Sequence, residues 1–149
     1  MAIPADLPEF QTAWERFTAQ RGFDDIAVTL GLEPEAADGE SISMRMPLTT
    51  PIMQANGMYA AAALFGAADI TSTFLSIAAK AEEGRFPLAV QSNQHFLSNT
   101  KDPSVVATAR LLRSGGAMVV TEAEVRDDAG RLLMQATFTN ILKTIELGN

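Results

Sequence analysis

The sequence contains no cysteine and a single histidine, His95, among its 149 residues. Without cysteine, disulfides, thiolate metal sites and a cysteine nucleophile are excluded. One histidine excludes a metal site built from several histidines, and a Ser-His-Asp triad would have to use His95 itself.

Basic residues are also scarce, because 11 Lys and Arg stand against 18 Asp and Glu and give a net charge of −7. No run of Lys or Arg occurs, which argues against nucleic acid or an anionic membrane surface as the partner. Residues 1–10 have neither the basic nor the apolar region of a secretory signal. We therefore expect a cytoplasmic protein.

The first third of the chain predicts a helix followed by a strand. Residues 7–21 carry apolar side chains at helical spacing, with Pro8 in the first turn and Gly22 at the end, which predicts an N-terminal helix. Residues 26–32 lead into the turn cluster PEAADG. Residues 41–46 alternate apolar and polar side chains, a pattern typical of a half-buried strand.

The rest of the chain predicts one long helix and four strands. From residue 57 to 79 the side chains are apolar or small nearly all round, as in a buried helix. Strand-like runs follow at residues 88–97, 105–113, 117–126 and 132–145, with a hairpin turn at residues 127–130. Because no helix separates these strands, we expect an antiparallel meander.

One sheet and one apolar helix favour a single α+β domain spanning residues 1–149, with the sheet wrapped around the helix. The sheet edges are expected to be covered by a second copy of the chain. The helix is long enough to cross a bilayer, but Asp69 at its centre would cost roughly 2.5–3.5 kcal/mol on insertion scales. We therefore expect no membrane partner.

Asp69 is the conspicuous residue of the long helix, because no Lys, Arg or His lies near it in the sequence. Burying an unpaired carboxylate is costly. Either it is a structural acid, hydrogen-bonded by Thr73 or by hydroxyls of a neighbouring strand, or it serves chemistry.

The residues around Asp69 resemble a known signature. Gln54, Gly57, Ala68 and Asp69 have the spacing of the central helix in hotdog-fold acyl-CoA thioesterases of the PaaI-like group. That pattern is Q/N-x-x-G-x-x-H-G-G, then six residues, then Asp or Glu. Here Ala60-Ala61-Ala62 replaces His-Gly-Gly. Residues 110–115 and 127–132 are similar to the last two hairpins of the family.

The resemblance implies a hydrolytic mechanism. Asp69 would activate water or attack the thioester, the backbone N–H of Ala61 would polarise the carbonyl, and Gln54 would orient substrate or water. Thr73 lies one turn beyond Asp69 on the same helix face. No cofactor is implied, since coenzyme A is part of the substrate.

The resemblance also implies a shared site, because in this family the acid and the Gln-plus-amide half usually belong to different subunits. Ala61 and Asp69 are eight residues apart, which corresponds to about 12 Å of helical rise. One helix cannot bring both groups to one carbonyl. We therefore expect a homodimer or a dimer of dimers (homotetramer).

Further residues are candidates for contact with the acyl-CoA. Asn93 is similar to an asparagine that the family often has on the strand after the helix, and His95 follows on the same strand. Cations are expected to bind the coenzyme A phosphates. The remaining candidates at the helix start are Gly57, Ala60 and Ala62, and the candidate cations are Lys101, Arg110 and Arg113. Three aromatic residues could cap an acyl tunnel: Trp14, Phe17 and Phe23.

Two other functions remain open from the sequence. The same fold could hold acyl-CoA or a lipid-like ligand without turnover, a reading favoured by Ala60-Ala61-Ala62. A hotdog hydratase or dehydratase would need a histidine working with an acid, and His95 lies outside the long helix.

Overall fold

The computed structural model describes residues 2–80 and 85–144, and these form three α-helices and six strands. The helices are α1 (Leu7–Arg21), α2 (Ile26–Leu30) and α3 (Ala61–Lys80), and a 3-10 turn covers Thr50–Ile52. The strands are β1 (Glu33–Ala37), β2 (Ser41–Pro47), β3 (Arg85–Phe96), β4 (Ser104–Ser114), β5 (Met118–Arg126) and β6 (Leu132–Thr144). The order of elements confirms the predicted α+β class.

The six strands form one antiparallel sheet in the order β1-β2-β4-β5-β6-β3. The predicted meander is confirmed for β4, β5 and β6 and is wrong for β3, which pairs with β6 at the far edge. The position beside β4 is occupied by β2, whose buried Ile42, Met44 and Met46 belong in the centre of a sheet. The connection between β3 and β4 therefore crosses the end of the sheet.

The sheet packs around α3, which is the core helix of the fold. Leu64, Ala67 and Leu75 of α3 are fully buried, and α3 contacts each strand from β2 to β6. Burying a leucine side chain of this kind contributes about 1.5–3 kcal/mol. By length and composition alone α3 could also cross a membrane, but here most of its apolar stretch is enclosed by the protein.

Helix α1 covers a side of α3 that the sheet leaves open. Asp6 caps α1 by accepting a hydrogen bond from the N–H of Glu9 at 2.9 Å, and α1 is followed by Gly22 in the left-handed conformation. The rings of Trp14 and Phe17 meet Phe74 of α3 edge-on, at 5.2 and 5.5 Å between centroids. This packing places α1 over Phe74, in the second half of α3.

Two local expectations are wrong. The first four residues of PEAADG lie in β1, because Glu33 and Ala37 pair with Arg45 and Ile42 of β2, so only the end of that cluster makes the turn. Helix α3 begins at Ala61 rather than just after residue 56. The intervening residues form a tight turn of their own.

Strand β3 is an edge strand with an apolar surface. Within the described residues it pairs only with β6, so its other side is open. Leu88, Val90 and Phe96 are 45% to 55% exposed. An edge of this kind is a template for pairing with another strand.

Candidate active site

A tight turn precedes α3 and presents Gln54. The N–H of Gln54 donates to the Met58 carbonyl, and the N–H of Gly57 donates to the Gln54 carbonyl, both at 2.9 Å. Met53 and Tyr59 close the turn as an isolated bridge. Gly57 has φ = 78°, a conformation that side-chain-bearing residues rarely adopt. The backbone of the turn is thus fixed, while the Gln54 side chain is exposed and makes no hydrogen bond to any described residue.

The first turn of α3 offers free backbone donors. The Ala60 carbonyl accepts the N–H groups of Ala63 and Leu64 at 2.9 and 3.1 Å, which makes Ala60 the N-cap residue. The N–H groups of Ala61 and Ala62 have no acceptor within residues 2–80 and 85–144, and both residues are exposed. These donors point out of the positive end of the helix dipole, where a developing oxyanion is stabilised.

Asp69 lies further along α3, at a cavity of about 140 Å³ between α3, α1, α2 and the start of β3. The cavity also contains Thr73 and two residues of α2 and its cap, Ile26 and Asp25. Its remaining lining is aromatic and aliphatic, from Trp14, Phe17, Ile70, Phe74, Ile77 and Phe86. A carboxylate therefore faces an otherwise mostly apolar wall.

Asp69 has no polar partner in the described part of the chain. Burial raises the pKa of its carboxyl above the ordinary aspartate value. The other acid of the cavity, Asp25, is engaged differently: it accepts from the Ala27 N–H at 2.9 Å and pairs with Arg21 at 2.7 Å. Asp69 is thus the acid of the cavity that remains available.

The Thr73 hydroxyl lines the same cavity and makes no hydrogen bond within the described residues. Other hydroxyls of α3 behave differently, because Thr71 donates to the Ala67 carbonyl at 2.7 Å and Ser76 to the Ser72 carbonyl at 2.9 Å. The structure therefore brings Thr73 and Asp69 together but does not join them by a hydrogen bond.

The turn with Gln54 and the cavity with Asp69 are separate places in one chain. Ala61 is the first residue of α3 and Asp69 the ninth, so about 12 Å of helix lies between them. Gln54, Gly57, Ala60, Ala61 and Ala62 gather at the helix start, and none of them lines the cavity.

Asn93 and His95 lie on the outer face of the sheet. They pair with Thr137 and Gln135 of β6, which alternate with the buried Ala136 and Phe138. Because cross-strand partners share a face, the side chains of Asn93 and His95 lie on the face away from α3. The structure does not bring them to the Asp69 cavity of the same chain.

The three candidate cations lie in different places. Lys101 lies beside the turn before α3, with its Nζ 3.8 Å from the position of a Cβ on Gly57. Arg110 pairs with Glu122 at 3.0 Å and approaches Glu124 at 3.9 Å on the outer face of the sheet. Arg113 lies near the end of β4. It is roughly 30 Å along the strand from Ser104, the first residue of β4, and Lys101 precedes Ser104 by only three residues.

Of the three aromatic candidates for an acyl tunnel, Trp14 and Phe17 line the cavity, and Phe23 is 69% exposed outside it. Sequence reasoning missed Phe86 and Asp25. Phe86 directly precedes Pro87 at the start of β3, and nothing in its local pattern connects it with α1 or α3. Only the three-dimensional packing brings these residues to Asp69.

The sequence model of the thioesterase superfamily matches residues 56–134, just over half of the chain. The chain belongs to the thioesterase superfamily. The match includes the first turn of α3, Asp69 and the strands from β3 to β5. Among curated proteins, none matches this thioesterase-superfamily sequence.

Solved structures share the fold at low sequence identity. A thioesterase from Haemophilus influenzae matches with a TM-score of 0.80 at 19% identity, over 96% of this chain and 94% of its own. The PaaI protein of the E. coli phenylacetic acid degradation operon matches with a TM-score of 0.74 at 18% identity, over 90% and 94%. The sheet wrapped around a central helix is therefore the hotdog fold of PaaI-like thioesterases.

A thioesterase from Staphylococcus aureus matches as well, in a mutant with alanine in place of a glutamine. Its TM-score is 0.75 at 19% identity, over 79% of this chain and 98% of its own. A second mutant of the same protein has alanine in place of a glutamate.

Proposed function

We propose that this protein hydrolyses a small or medium acyl-CoA thioester to the free acid and coenzyme A, with Asp69 as the general base or nucleophile. The observation that carries the proposal is the carboxyl of Asp69, which faces a mostly apolar cavity beside the core helix and has no polar partner among the described residues. A carboxylate held there without hydrogen bonds destabilises the fold, and such groups cluster at functional sites.

The size of the cavity supports a short acyl group. A cavity of roughly 150 Å³ holds a benzene-sized ligand, and the space beside Asp69 is about 140 Å³. Its aromatic and aliphatic lining favours an apolar acyl group of about six carbons over a long chain.

The reaction uses the start and the middle of α3 for different steps. A water oxygen attacks the thioester carbonyl carbon while Asp69 accepts the proton of that water. The tetrahedral oxyanion accepts hydrogen bonds from the Ala61 N–H, and Gln54 orients the substrate or the water. The C–S bond then breaks, the acid leaves, and the departing thiolate takes up the proton from Asp69. No cofactor takes part.

Because these groups lie about 12 Å apart on one helix, the proposed site joins Asp69 of one subunit to the helix start of another. The open edge of β3, with its exposed Leu88, Val90 and Phe96, offers a surface on which a second copy can continue the sheet. The Staphylococcus aureus thioesterase supports a site that uses both a glutamine and an acid. The glutamine and the glutamate replaced in its two mutants are fifteen positions apart in sequence, and so are Gln54 and Asp69.

Lys101 is the cation best placed for a coenzyme A phosphate in this proposal. It lies beside Gly57 at the helix start, is exposed, and forms no ion pair within residues 2–80 and 85–144. A substrate of this kind also implies an enzyme of the cytoplasm, where acyl-CoA thioesters are made and used.

The proposal is tested by thiol release from acetyl-, hexanoyl-, phenylacetyl- and dodecanoyl-CoA. Asp69→Asn should lower kcat about 10²–10⁴-fold, the usual contribution of a positioned general base. Asp24→Asn, an exposed acid outside the cavity, is the matched control and should keep the wild-type rate. Hydrolysis at equal rates by wild type and Asp69→Asn would contradict the assignment of Asp69.

The alternative function, binding without turnover, has its own signature in the same experiment. Calorimetric titration with coenzyme A and with a non-hydrolysable hexanoyl-CoA thioether measures binding directly. If wild type binds both and releases no thiol from any of the four substrates, the protein is a ligand-binding member of the superfamily and the hydrolase proposal is wrong.

A further inference from the structure

Tyr59, two residues before α3, makes hydrogen bonds through its side-chain hydroxyl and through its backbone carbonyl. Its side chain is fully buried, and its hydroxyl donates to the Asp102 carbonyl at 3.1 Å, with the Met46 carbonyl at 3.4 Å as a second acceptor. Burial raises the pKa of Tyr59 to about 12. The hydroxyl therefore stays protonated and remains a donor at neutral pH.

Asn99 holds the other end of Tyr59. Its side-chain nitrogen donates to the Tyr59 carbonyl at 2.7 Å, and its side-chain oxygen accepts the N–H of Thr100 at 2.8 Å. A backbone carbonyl only accepts and a backbone N–H only donates, so these two partners define the orientation of the Asn99 amide. The side chain of Asn99 thus serves as a bridge between residues 97–103 and the turn before α3.

The loop that contains Asn99 is held in turn by hydrogen bonds from residues of the hairpin between β5 and β6. Arg131 donates to the Asn99 carbonyl at 3.0 Å, and the N–H of Asp128 donates to the Asp102 side chain at 3.2 Å. Within the loop the N–H of Asp102 donates to the Thr100 hydroxyl at 3.1 Å. The hairpin between β5 and β6 therefore supports the loop that holds Tyr59.

The start of α3 needs such support because it has no side-chain cap. Ala60 occupies the N-cap position, and its methyl group accepts no hydrogen bond. The direction of the free N–H of Ala61 then depends on how the two preceding residues are held. Two hydrogen bonds fix these residues: the Ala60 N–H donates to the Ile52 carbonyl at 2.8 Å, and the Asn99 side chain donates to the Tyr59 carbonyl.

We propose that Asn99, acting through Tyr59, is a positioning residue that aims the Ala61 N–H at the thioester oxygen. This inference rests on the proposed thioester hydrolysis. Asn99 touches neither Asp69 nor the cavity, so it acts on the oxyanion and not on the base. Its loss affects the step in which negative charge develops on the carbonyl oxygen.

Asn99→Asp tests the inference with little change in size, because it replaces the donor by an acceptor facing the Tyr59 carbonyl. We expect kcat for hexanoyl-CoA to fall about tenfold, less than the 10²–10³-fold that follows removal of an oxyanion donor. KM should change less than twofold, and the pH profile of kcat should keep its shape, since Asp69 is untouched. Tyr59→Phe, which removes only the hydroxyl, should change kcat in the same direction by a smaller factor.

Thr71→Val is the matched control, because it removes one buried hydrogen bond of α3 outside the candidate site. It should lower the melting temperature without lowering kcat. If Asn99→Asp and Thr71→Val change kcat by the same factor, Asn99 is merely structural and the inference is wrong.

A second readout does not depend on activity. The amide ¹H–¹⁵N resonances of Ala61 and Ala62 should shift in Asn99→Asp and stay in place in Thr71→Val. Unchanged resonances in Asn99→Asp overturn the inference even if kcat falls. If wild type hydrolyses none of the thioesters, the proposed function is wrong, and shifted resonances would still establish that Asn99 controls the direction of these amides.

Discussion

The start and the middle of α3 are opposite kinds of environment. At the start, the N–H groups of Ala61 and Ala62 are exposed, and Lys101 lies nearby. In the middle, the Asp69 carboxyl faces a cavity lined mainly by aromatic and aliphatic side chains. Within the described residues, the start offers free backbone donors and a nearby cation but no carboxylate, whereas the middle offers the Asp69 carboxylate beside the Thr73 hydroxyl but no free backbone donor.

The start and the middle of α3 also differ in how much their unpaired polar groups destabilise the fold. Unpaired N–H groups at an exposed helix start are satisfied by water, so they cost little. The Asp69 carboxyl in its largely apolar cavity loses hydration and gains no hydrogen bond or ion pair from the described part of the chain in return. Asp69 in the middle of α3 is therefore the stronger indication of function, because free N–H groups occur at many exposed helix starts and do not indicate a site by themselves.

Mixing two inactive variants tests whether the start and the middle of α3 work together across subunits. Gln54→Ala and Asp69→Asn should each lose about 10²-fold or more alone, because each removes one half of the site. When the two variants are refolded together in equal amounts, half of the dimers contain one chain of each variant. Each of these mixed dimers has one intact site out of two. The mixture should recover about a quarter of the wild-type thiol-release rate.

Each variant refolded alone is the control for this experiment. A mixture whose rate equals the mean of the two separate variants would show that each site is built within a single chain. That result would contradict the shared site while leaving the family membership of the chain untouched.

Much of the fold follows from local patterns in the sequence. The alternation at Ile42, Met44 and Met46 and the apolar stretch of α3 are sufficient to predict a sheet around a buried helix. The position of β3 is not predictable in this way, because the local pattern of a strand does not say which strand it pairs with. Likewise β1 is rich in Glu, Pro and Ala, and pairing with β2 overrides their low strand preference.

The candidate site was predictable only in part. Asp69 is conspicuous because a lone acid interrupts an apolar helix, and the spacing to Gln54 adds a second position. The lining of the cavity comes from α1, α2 and β3, whose contacts with α3 are distant in sequence. The bond from Asn99 to Tyr59 joins residues forty positions apart, and no local pattern marks it.

Lys101→Ala tests whether the helix start is the end that binds the coenzyme A anion. We expect KM for hexanoyl-CoA to rise about two- to fivefold, since an exposed charge contributes roughly 0.2–1 kcal/mol. The hexanoyl thioester of N-acetylcysteamine has no phosphates, so its KM should not change. Raising the salt concentration should reduce the difference between Lys101→Ala and wild type.

Arg126→Ala is the matched control for charge, because Arg126 is already paired with Glu124 at 3.0 Å on the sheet surface. Its KM values should equal those of wild type. An equal rise of KM for both thioesters in Lys101→Ala would mean that Lys101 acts on the acyl half or on the fold, which would contradict its role at the phosphates.

The smallest expected effect concerns stability in the middle of α3. Since burial raises the pKa of Asp69, the folded chain holds that proton more tightly than the unfolded chain. Stability is therefore lost as pH rises from the ordinary aspartate value through the raised value. Asp69→Asn removes this loss, so its melting temperature should exceed that of wild type at pH 8, by roughly 2–4 °C for each kcal/mol recovered.

The sign of this effect separates the two interpretations of Asp69. Asp38 provides the opposite case, because the N–H groups of Ser41 and Glu40 lower the pKa of its carboxyl, so Asp38→Asn should be less stable than wild type at pH 8. The difference for Asp69→Asn should shrink as the pH falls below the raised pKa of Asp69, because the wild-type carboxyl is then protonated and neutral. A lower melting temperature of Asp69→Asn at pH 8 would mean that the carboxylate makes favourable contacts and is structural. A gain of stability together with a loss of activity is expected only of a carboxylate retained for chemistry.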